Sequence, residues 1–237
     1  ALFVESGGDR AVMAVVETPA IATPIYEGMV QQIATEFDVP RDHVLLAITH
    51  THNVMRVAPP GPSPIPTSEL FTARVRSGTM EAIAAARAAL QPARAGYRAG
   101  LASLVRGRDE WHGPQHRYID GIDRTGLEPV DQALGVYEFA NLRGEPIAVI
   151  LNYGIQPVVY EIAKTQLSGD VPGAASRYVE DTLGGGVVAL FTVGAPGSAA
   201  YRVWSKTRSG HDVERAAAIV RAMGVILGEE ALAQMEE

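Results

Sequence analysis

The chain of 237 residues contains no cysteine. Disulfide bonds, cysteine-based zinc sites and a cysteine nucleophile are therefore excluded, and the compartment is left open between cytoplasmic and secreted. No apolar run reaches the ~18–20 residues that a membrane-spanning helix needs, and no signal peptide is recognisable. Positive charge is also scarce relative to negative charge. The resulting net charge of −7 argues against nucleic acid as a partner. We expect a soluble protein whose oligomeric state the sequence leaves open.

Apolar residues are plentiful, at 47% of the chain, which is enough for one large core. We expect a single α/β domain over residues 1–237. Strand-like apolar runs alternate with helical periodicity, and this predicts a layered fold with a mixed β-sheet flanked by helices. Because the chain begins within an apolar run and without methionine, we expect its start to be processed or incompletely represented.

The periodicity predicts individual elements along the chain. They are, in order, a hairpin over residues 1–16, a helix from Pro24, a strand that carries His50 and His52, a long helix capped by Thr67 or Ser68, a strand over 96–105, paired strands over 136–139 and 146–153, a helix after Asp170, a strand over 187–193 and a final helix from Asp212. Residues 57–66 include five prolines and are predicted to form the wall of a cleft. Residues 106–126, rich in charge, are predicted to form a loop, where binding residues often lie.

Two histidines separated by one residue follow the apolar run 45–48. Alternate side chains of a strand point to the same side, so His50 and His52 are predicted to project together. Two imidazoles in this arrangement can bind one metal ion or take part in acid–base catalysis. The alternative is that both are polar residues at a strand end that bond to neighbouring backbone.

Four segments resemble the neutral, non-lysosomal ceramidases and their smaller bacterial relatives. Thr49-His50-Thr51-His52 is similar to the Thr-His-Thr-His-Ser-Gly segment of that family, and residues 152–157 to its Asn-Phe-Ala-x-His-Pro strand. Residues 167–173, and then 188–197 with the helix over 212–232, follow in the family's order. The resemblance covers most of the chain and implies the fold of the ceramidase catalytic domain.

The resemblance implies a zinc-dependent amidase that acts on a small-molecule or lipid-like amide. Carried over, it implies that His50 binds zinc and that His52 is a catalytic neighbour beside the substrate. It also implies that Arg106 or Arg108 binds substrate, where a guanidinium could stabilise a developing oxyanion. Asp170 is a further catalytic candidate, and its alternative role is to cap the following helix.

The chain departs from the ceramidase pattern at several positions. Gln156 stands where the family has its second zinc-binding histidine, and an amide is a poorer zinc ligand than imidazole. After Gly197 the aspartate and serine or asparagine of the family are missing. The family's remaining ligands, a glutamate and a tyrosine, come from a segment later than residue 237. The candidates for further ligands here are His52, Asp170, His112 and His116.

The sequence therefore leaves two main hypotheses open. One is a ceramidase-like hydrolase of an amide or related acyl bond, assisted by a metal, with zinc implied, at His50. The other is a divergent relative that keeps the fold as a non-hydrolytic or metal-free pocket, with Asn53, Tyr153 and Gln156 as its polar substrate-binding residues. A barrel amidohydrolase is disfavoured because too few histidines follow His52, and a purely structural role stays open.

Overall fold

The computed structural model describes residues 1–61, 67–120, 129–159, 167–201 and 213–236. Parts of three predicted features lie outside the described residues: the end of the proline-rich segment 57–66, the end of the loop 106–126, and the start of the last helix at Asp212. Among the described residues no helix is long and apolar enough to cross a membrane.

The secondary structure alternates between strands and helices. In chain order the elements are β1 (Leu2–Ser6), β2 (Asp9–Val16), α1 (Thr23–Phe37), β3 (Val44–Ile48), α2 (Glu69–Ala88), β4 (Ala93–Leu101), β5 (Val105–Gly107), β6 (Asp109–His112), β7 (Arg117–Asp120), β8 (Ala133–Asn141), β9 (Pro146–Tyr153), α3 (Asp170–Leu183), β10 (Val188–Val193), β11 (Ala199–Tyr201) and α4 (Val213–Glu236). The predicted cap of α2 is Ser68, whose side chain accepts a hydrogen bond from the N–H of Phe71 at 3.3 Å.

The first sheet has the strand order β1–β2–β3. β1 and β2 form the predicted antiparallel hairpin, and its turn has left-handed backbone at Gly7 (φ 60°) and Gly8 (φ 93°), which glycine adopts without steric penalty. β3 pairs in parallel with β2, so Val16 lies beside Ile48 where both strands end. Helices α1 and α2 contact this sheet and enclose one apolar core.

The second sheet has the order β10–β9–β8–β4. β9 pairs in parallel with β10 and antiparallel with β8, and β4 pairs antiparallel with β8. Helix α3 packs on β10, and α4 packs on α3, β4 and β8, which together enclose the larger core. The predicted α/β fold with mixed sheets and flanking helices is confirmed, although the strands form more than one sheet.

Two regions differ from the sequence prediction. The strand predicted over 96–105 is divided into β4 and β5, and β5 pairs with β11 rather than continuing along β8. The loop predicted over 106–126 contains the hairpin of β6 and β7. These short strands lack regular alternation of apolar and polar residues, which is the signal by which sequence reveals a strand.

Helices α3 and α4 approach closely because glycines lie at their contact. A Cβ added at Gly224 would lie 2.5 Å from the Cβ of Ala174 and 2.8 Å from its carbonyl carbon. A Cβ at Gly228 would lie 2.5 Å from the ring of Tyr178. Both glycines are buried, so larger residues at these positions would force the helices apart.

Gly224→Ala is expected to lower the free energy of unfolding by about 1–3 kcal/mol, which is typical of overpacking. This penalty exceeds the gain of about 1 kcal/mol that alanine brings to a helix interior. Urea unfolding measures the difference. The control is Gly78→Ala in α2, where an added Cβ meets no atom within 4 Å; it should gain stability. Equal stabilisation by both substitutions would contradict close packing of α3 on α4.

Candidate functional site

His50 and His52 face each other directly after β3. β3 ends at Ile48, and His50 has left-handed backbone with φ 58°, so the pair lies in a loop rather than on the strand that was predicted. The Nε2 atoms of the two rings nevertheless lie 3.3 Å apart, and the ring planes meet at 75°. Positive φ is uncommon at residues other than glycine and is concentrated at functional sites.

The other nitrogen of His50 is held by the backbone. Nδ1 lies 2.8 Å from the carbonyl oxygen of Pro19, and a carbonyl only accepts hydrogen bonds. The proton of neutral His50 is therefore on Nδ1, and its Nε2 lone pair points toward His52. Histidines that bind metals or transfer protons are commonly fixed in this way.

Hydrogen bonds from distant segments hold the histidine loop. The N–H of His52 donates to the carbonyl of Pro157 at 3.1 Å. The Thr51 hydroxyl donates to the carbonyl of Ser168 at 2.9 Å, and the N–H of Ser168 donates to the carbonyl of Asn53 at 3.4 Å. Thr51 and Asn53 are buried. The loop is thus fixed between the segment after β9 and the segment before α3.

Arg108 contacts Gln156, which stands where the ceramidase sequence pattern has its second zinc-binding histidine. Its Nη1 donates to the Gln156 side-chain oxygen at 2.6 Å, and its backbone N–H donates to the carbonyl of Ser198 at 2.7 Å. The sequence suggested both residues separately, and the structure joins them. Arg106 is half-buried in β5, opposite Ala200 of β11.

Asp170 and Tyr201 form a buried polar pair at the start of α3. The Tyr201 hydroxyl donates to Asp170 Oδ1 at 3.0 Å and accepts from the N–H of Val158 at 2.7 Å. Asp170 Oδ1 also accepts from the N–H of Val171 at 2.7 Å, so the carboxylate also bonds to a backbone N–H in the first turn of α3. Burial raises the pKa of Tyr201 well above its ordinary value, and the Asp170 charge raises it further. Sequence analysis did not identify Tyr201 as a site residue, because only the fold brings it to Asp170.

Tyr153 occupies the core rather than a surface. It has no exposed area, and its hydroxyl donates to the carbonyl of Ala102 and accepts from the N–H of Leu104 at 3.2 Å. Burial raises the pKa of Tyr153 to about 12. Its role as a substrate contact stays a prediction, and these contacts do not favour it.

The remaining predicted histidines lie on the hairpin of β6 and β7. His112 ends β6, and His116 follows the turn at Gly113–Gln115, with its ring centre 6.4 Å from that of Trp111. Across the described residues, no three His, Asp or Glu side chains gather into a group that could hold a metal ion.

The histidine pair suits a metal ion better than the rest of the site does. Two nitrogen ligands of a tetrahedral zinc, each at ~2.05 Å, lie roughly 3.3 Å apart, and the two Nε2 atoms are 3.3 Å apart. A catalytic zinc takes three protein ligands. Gln156 already accepts from the Arg108 guanidinium, and that positive charge disfavours a cation beside it. The described residues therefore fit two of the three ligand positions.

No protein-family profile and no curated protein sequence matches the chain. Solved structures that match include a neutral ceramidase from Pseudomonas aeruginosa, with a TM-score of 0.75 and 21% identity, and a ceramidase complexed with C2, with a TM-score of 0.76 and 20% identity. The chain has the ceramidase fold. Each match covers 98% of this chain and 37% of the ceramidase chain, so the ceramidase-like region here is just over a third of those proteins. The resemblance predicted from four segments is confirmed at the level of the fold.

Tyr201→Phe is expected to lower the free energy of unfolding by about 1–3 kcal/mol. The reason is that it leaves the buried carboxylate of Asp170 and the N–H of Val158 without the hydroxyl they share. Urea unfolding measures the loss. Tyr137→Phe, at a side chain that is 44% exposed, is the matched control and should change stability little. If the two variants unfold alike, the pair with Asp170 does not stabilise the fold.

Proposed function

We propose that this chain is a ceramidase-like hydrolase of an amide or related acyl bond, with His50 and His52 as its working pair. The observation that supports the proposal is the 3.3 Å approach of the two Nε2 atoms. The ceramidase fold favours a small-molecule or lipid-like amide as the substrate.

Zinc or another transition metal is proposed at His50. His50 would hold the ion through Nε2, because its Nδ1 is engaged by the Pro19 carbonyl. A metal held there would supply Lewis acidity, which polarises a carbonyl group.

Proton transfer is proposed for His52. Its Nε2 lies 3.3 Å from that of His50, and its backbone N–H donates to the Pro157 carbonyl. In this proposal only His50 of the pair is a metal ligand. A neutral imidazole held this way can take a proton from water and return it to a leaving amine.

Arg108 is the proposed substrate-binding group, ahead of Arg106. Its guanidinium is held by Gln156, and a preorganised positive charge can stabilise the negative charge that develops on a carbonyl oxygen. Asn53 and Asp170 belong to the network of the histidine loop, so we propose that they position it.

His50→Ala is expected to remove one equivalent of bound transition metal and to lower hydrolysis of N-acyl amides. Elemental mass spectrometry of protein purified without chelator, with a panel of N-acyl substrates, measures both. His43→Ala is the matched control, since His43 Nδ1 also lies 2.9 Å from a backbone carbonyl but at an exposed site.

His52→Ala should slow turnover by about 10²–10⁴-fold, the usual contribution of acid–base catalysis. Turnover that survives both His50→Ala and His52→Ala would refute the proposal.

A second candidate function is a non-hydrolytic relative with a polar pocket. The contact between Arg108 and Gln156 favours it, because it places a cation and a neutral amide where the family has a zinc-binding histidine. Such a pocket suits an acidic or neutral polar ligand better than a metal.

Gln156→His is expected to tighten binding of zinc on the order of tenfold or more, because it adds an imidazole ligand to that of His50. Competition with a chromogenic chelator measures the affinity. Gln32→His, on the exposed face of α1, controls for adding a histidine anywhere. Unchanged zinc affinity in Gln156→His would mean that residue 156 does not face the histidine pair. A wild-type chain without metal or turnover, combined with tight binding in Gln156→His, would favour the second candidate.

A further inference from the structure

A second cavity lies between the two sheets and is not lined by the histidine pair. Its volume is about 280 Å³, and its walls come from the ends of β2 and β3, from β10 and from the first turns of α3. Glu17 and Thr49 directly follow the paired residues at the ends of β2 and β3. Arg177 and Glu180 of α3 join them, with the Glu180 carboxylate accepting from the N–H of Ala189. Ala189 and the next two residues of β10 line the remaining side.

Thr49 lines this cavity, and its side-chain hydroxyl is buried and unsatisfied. Thr49 is 2% exposed, and its Oγ1 has no hydrogen-bond partner among the described residues. Burying a hydroxyl without a partner is unfavourable. Because its Oγ1 is itself fully enclosed, Thr49 forms part of the cavity wall and offers no hydroxyl contact to a ligand.

Glu17 and Arg177 bring opposite charges to the same cavity without pairing directly. In the described part of the chain, neither side chain makes an ion pair within 4.0 Å. The Glu17 carboxylate lies against the first turn of α3. Its Oε1 is so close to Gly173 that a Cβ added there would lie 2.8 Å from it. Burial raises the pKa of Glu17, and Arg177 opposes that shift. Both side chains are nevertheless exposed, so a ligand that carries both signs of charge could reach the two of them at once.

We propose that this cavity binds a small zwitterion of the α-amino-acid class. Its ammonium group contacts Glu17 and its carboxylate contacts Arg177, both as charge-assisted hydrogen bonds. Its carbon side chain packs against β10. The volume of about 280 Å³ lies below the ~300–1,000 Å³ of sites for drug-sized ligands, which limits the ligand to a small one.

Isothermal titration calorimetry with L-alanine tests the proposal. Ethylamine, which lacks the carboxylate, and propionate, which lacks the ammonium group, are the matched probes. L-alanine is expected to bind saturably and at least about tenfold more tightly than either probe, because each probe loses one charge-assisted contact. No saturable heat with L-alanine, or equal affinity for either probe, would overturn the proposal.

Variants assign the two charged contacts. Glu17→Gln and Arg177→Gln are each expected to weaken L-alanine binding about tenfold or more. Glu36→Gln and Arg76→Gln, at exposed positions of α1 and α2, remove the same charges elsewhere and should bind like the wild type. Wild-type affinity in Glu17→Gln or Arg177→Gln would overturn the assignment.

Gly173→Ala separates binding from folding. The added methyl group meets only the Glu17 side chain, so it should displace that carboxylate and weaken L-alanine binding while the melting temperature is kept or raised. Unchanged binding in this variant would also overturn the proposal. The proposal is independent of hydrolysis, because His50→Ala is expected to bind L-alanine like the wild type, so either proposal can fail alone.

Discussion

The hydrogen bond between His50 Nδ1 and the Pro19 carbonyl determines what the candidate site can do. Pro19 follows β2 and His50 follows β3, so the parallel pairing of these strands brings the two groups together. With the proton fixed on Nδ1, the Nε2 lone pair is available to His52 or to a cation. If this bond were absent, the ring could turn, and the approach of the two Nε2 atoms would no longer be specified.

The residues that follow β2 and β3 therefore contribute to two different sites. On one side are the histidines, whose loop is tied to the segments before α3 and after β9. On the other are Glu17 and Thr49, which line the cavity beneath α3. Thr49 directly follows β3, and the left-handed backbone of His50 departs from strand geometry one residue later. Since α3 contributes Asp170 to one environment and Arg177 to the other, its close packing on α4 fixes both.

Sequence patterns revealed the parts of the molecule whose signal is local. Alternation of strands and helices predicted the layered fold, and the spacing of His50 and His52 predicted that their rings converge even though β3 ends earlier. The pairs Asp170–Tyr201 and Arg108–Gln156 could not be predicted, because their members are 31 and 48 residues apart and nothing local relates them. Tyr153 shows what a local motif leaves out: the motif-like segment suggested a site residue, and only the fold reveals that its hydroxyl bonds to backbone groups inside the core.

The long-range ties of the histidine loop also set when the site can form during folding. The first sheet is made of residues 2–48 and can pair as soon as that part of the chain is present. The hydrogen bond from Thr51 to Ser168 spans 117 residues, and closing so long a loop is entropically unfavourable until the second sheet and α3 have packed. The imidazole pair thus acquires its final geometry late, after both cores have formed, and an incompletely folded chain would hold two histidines that do not yet act together.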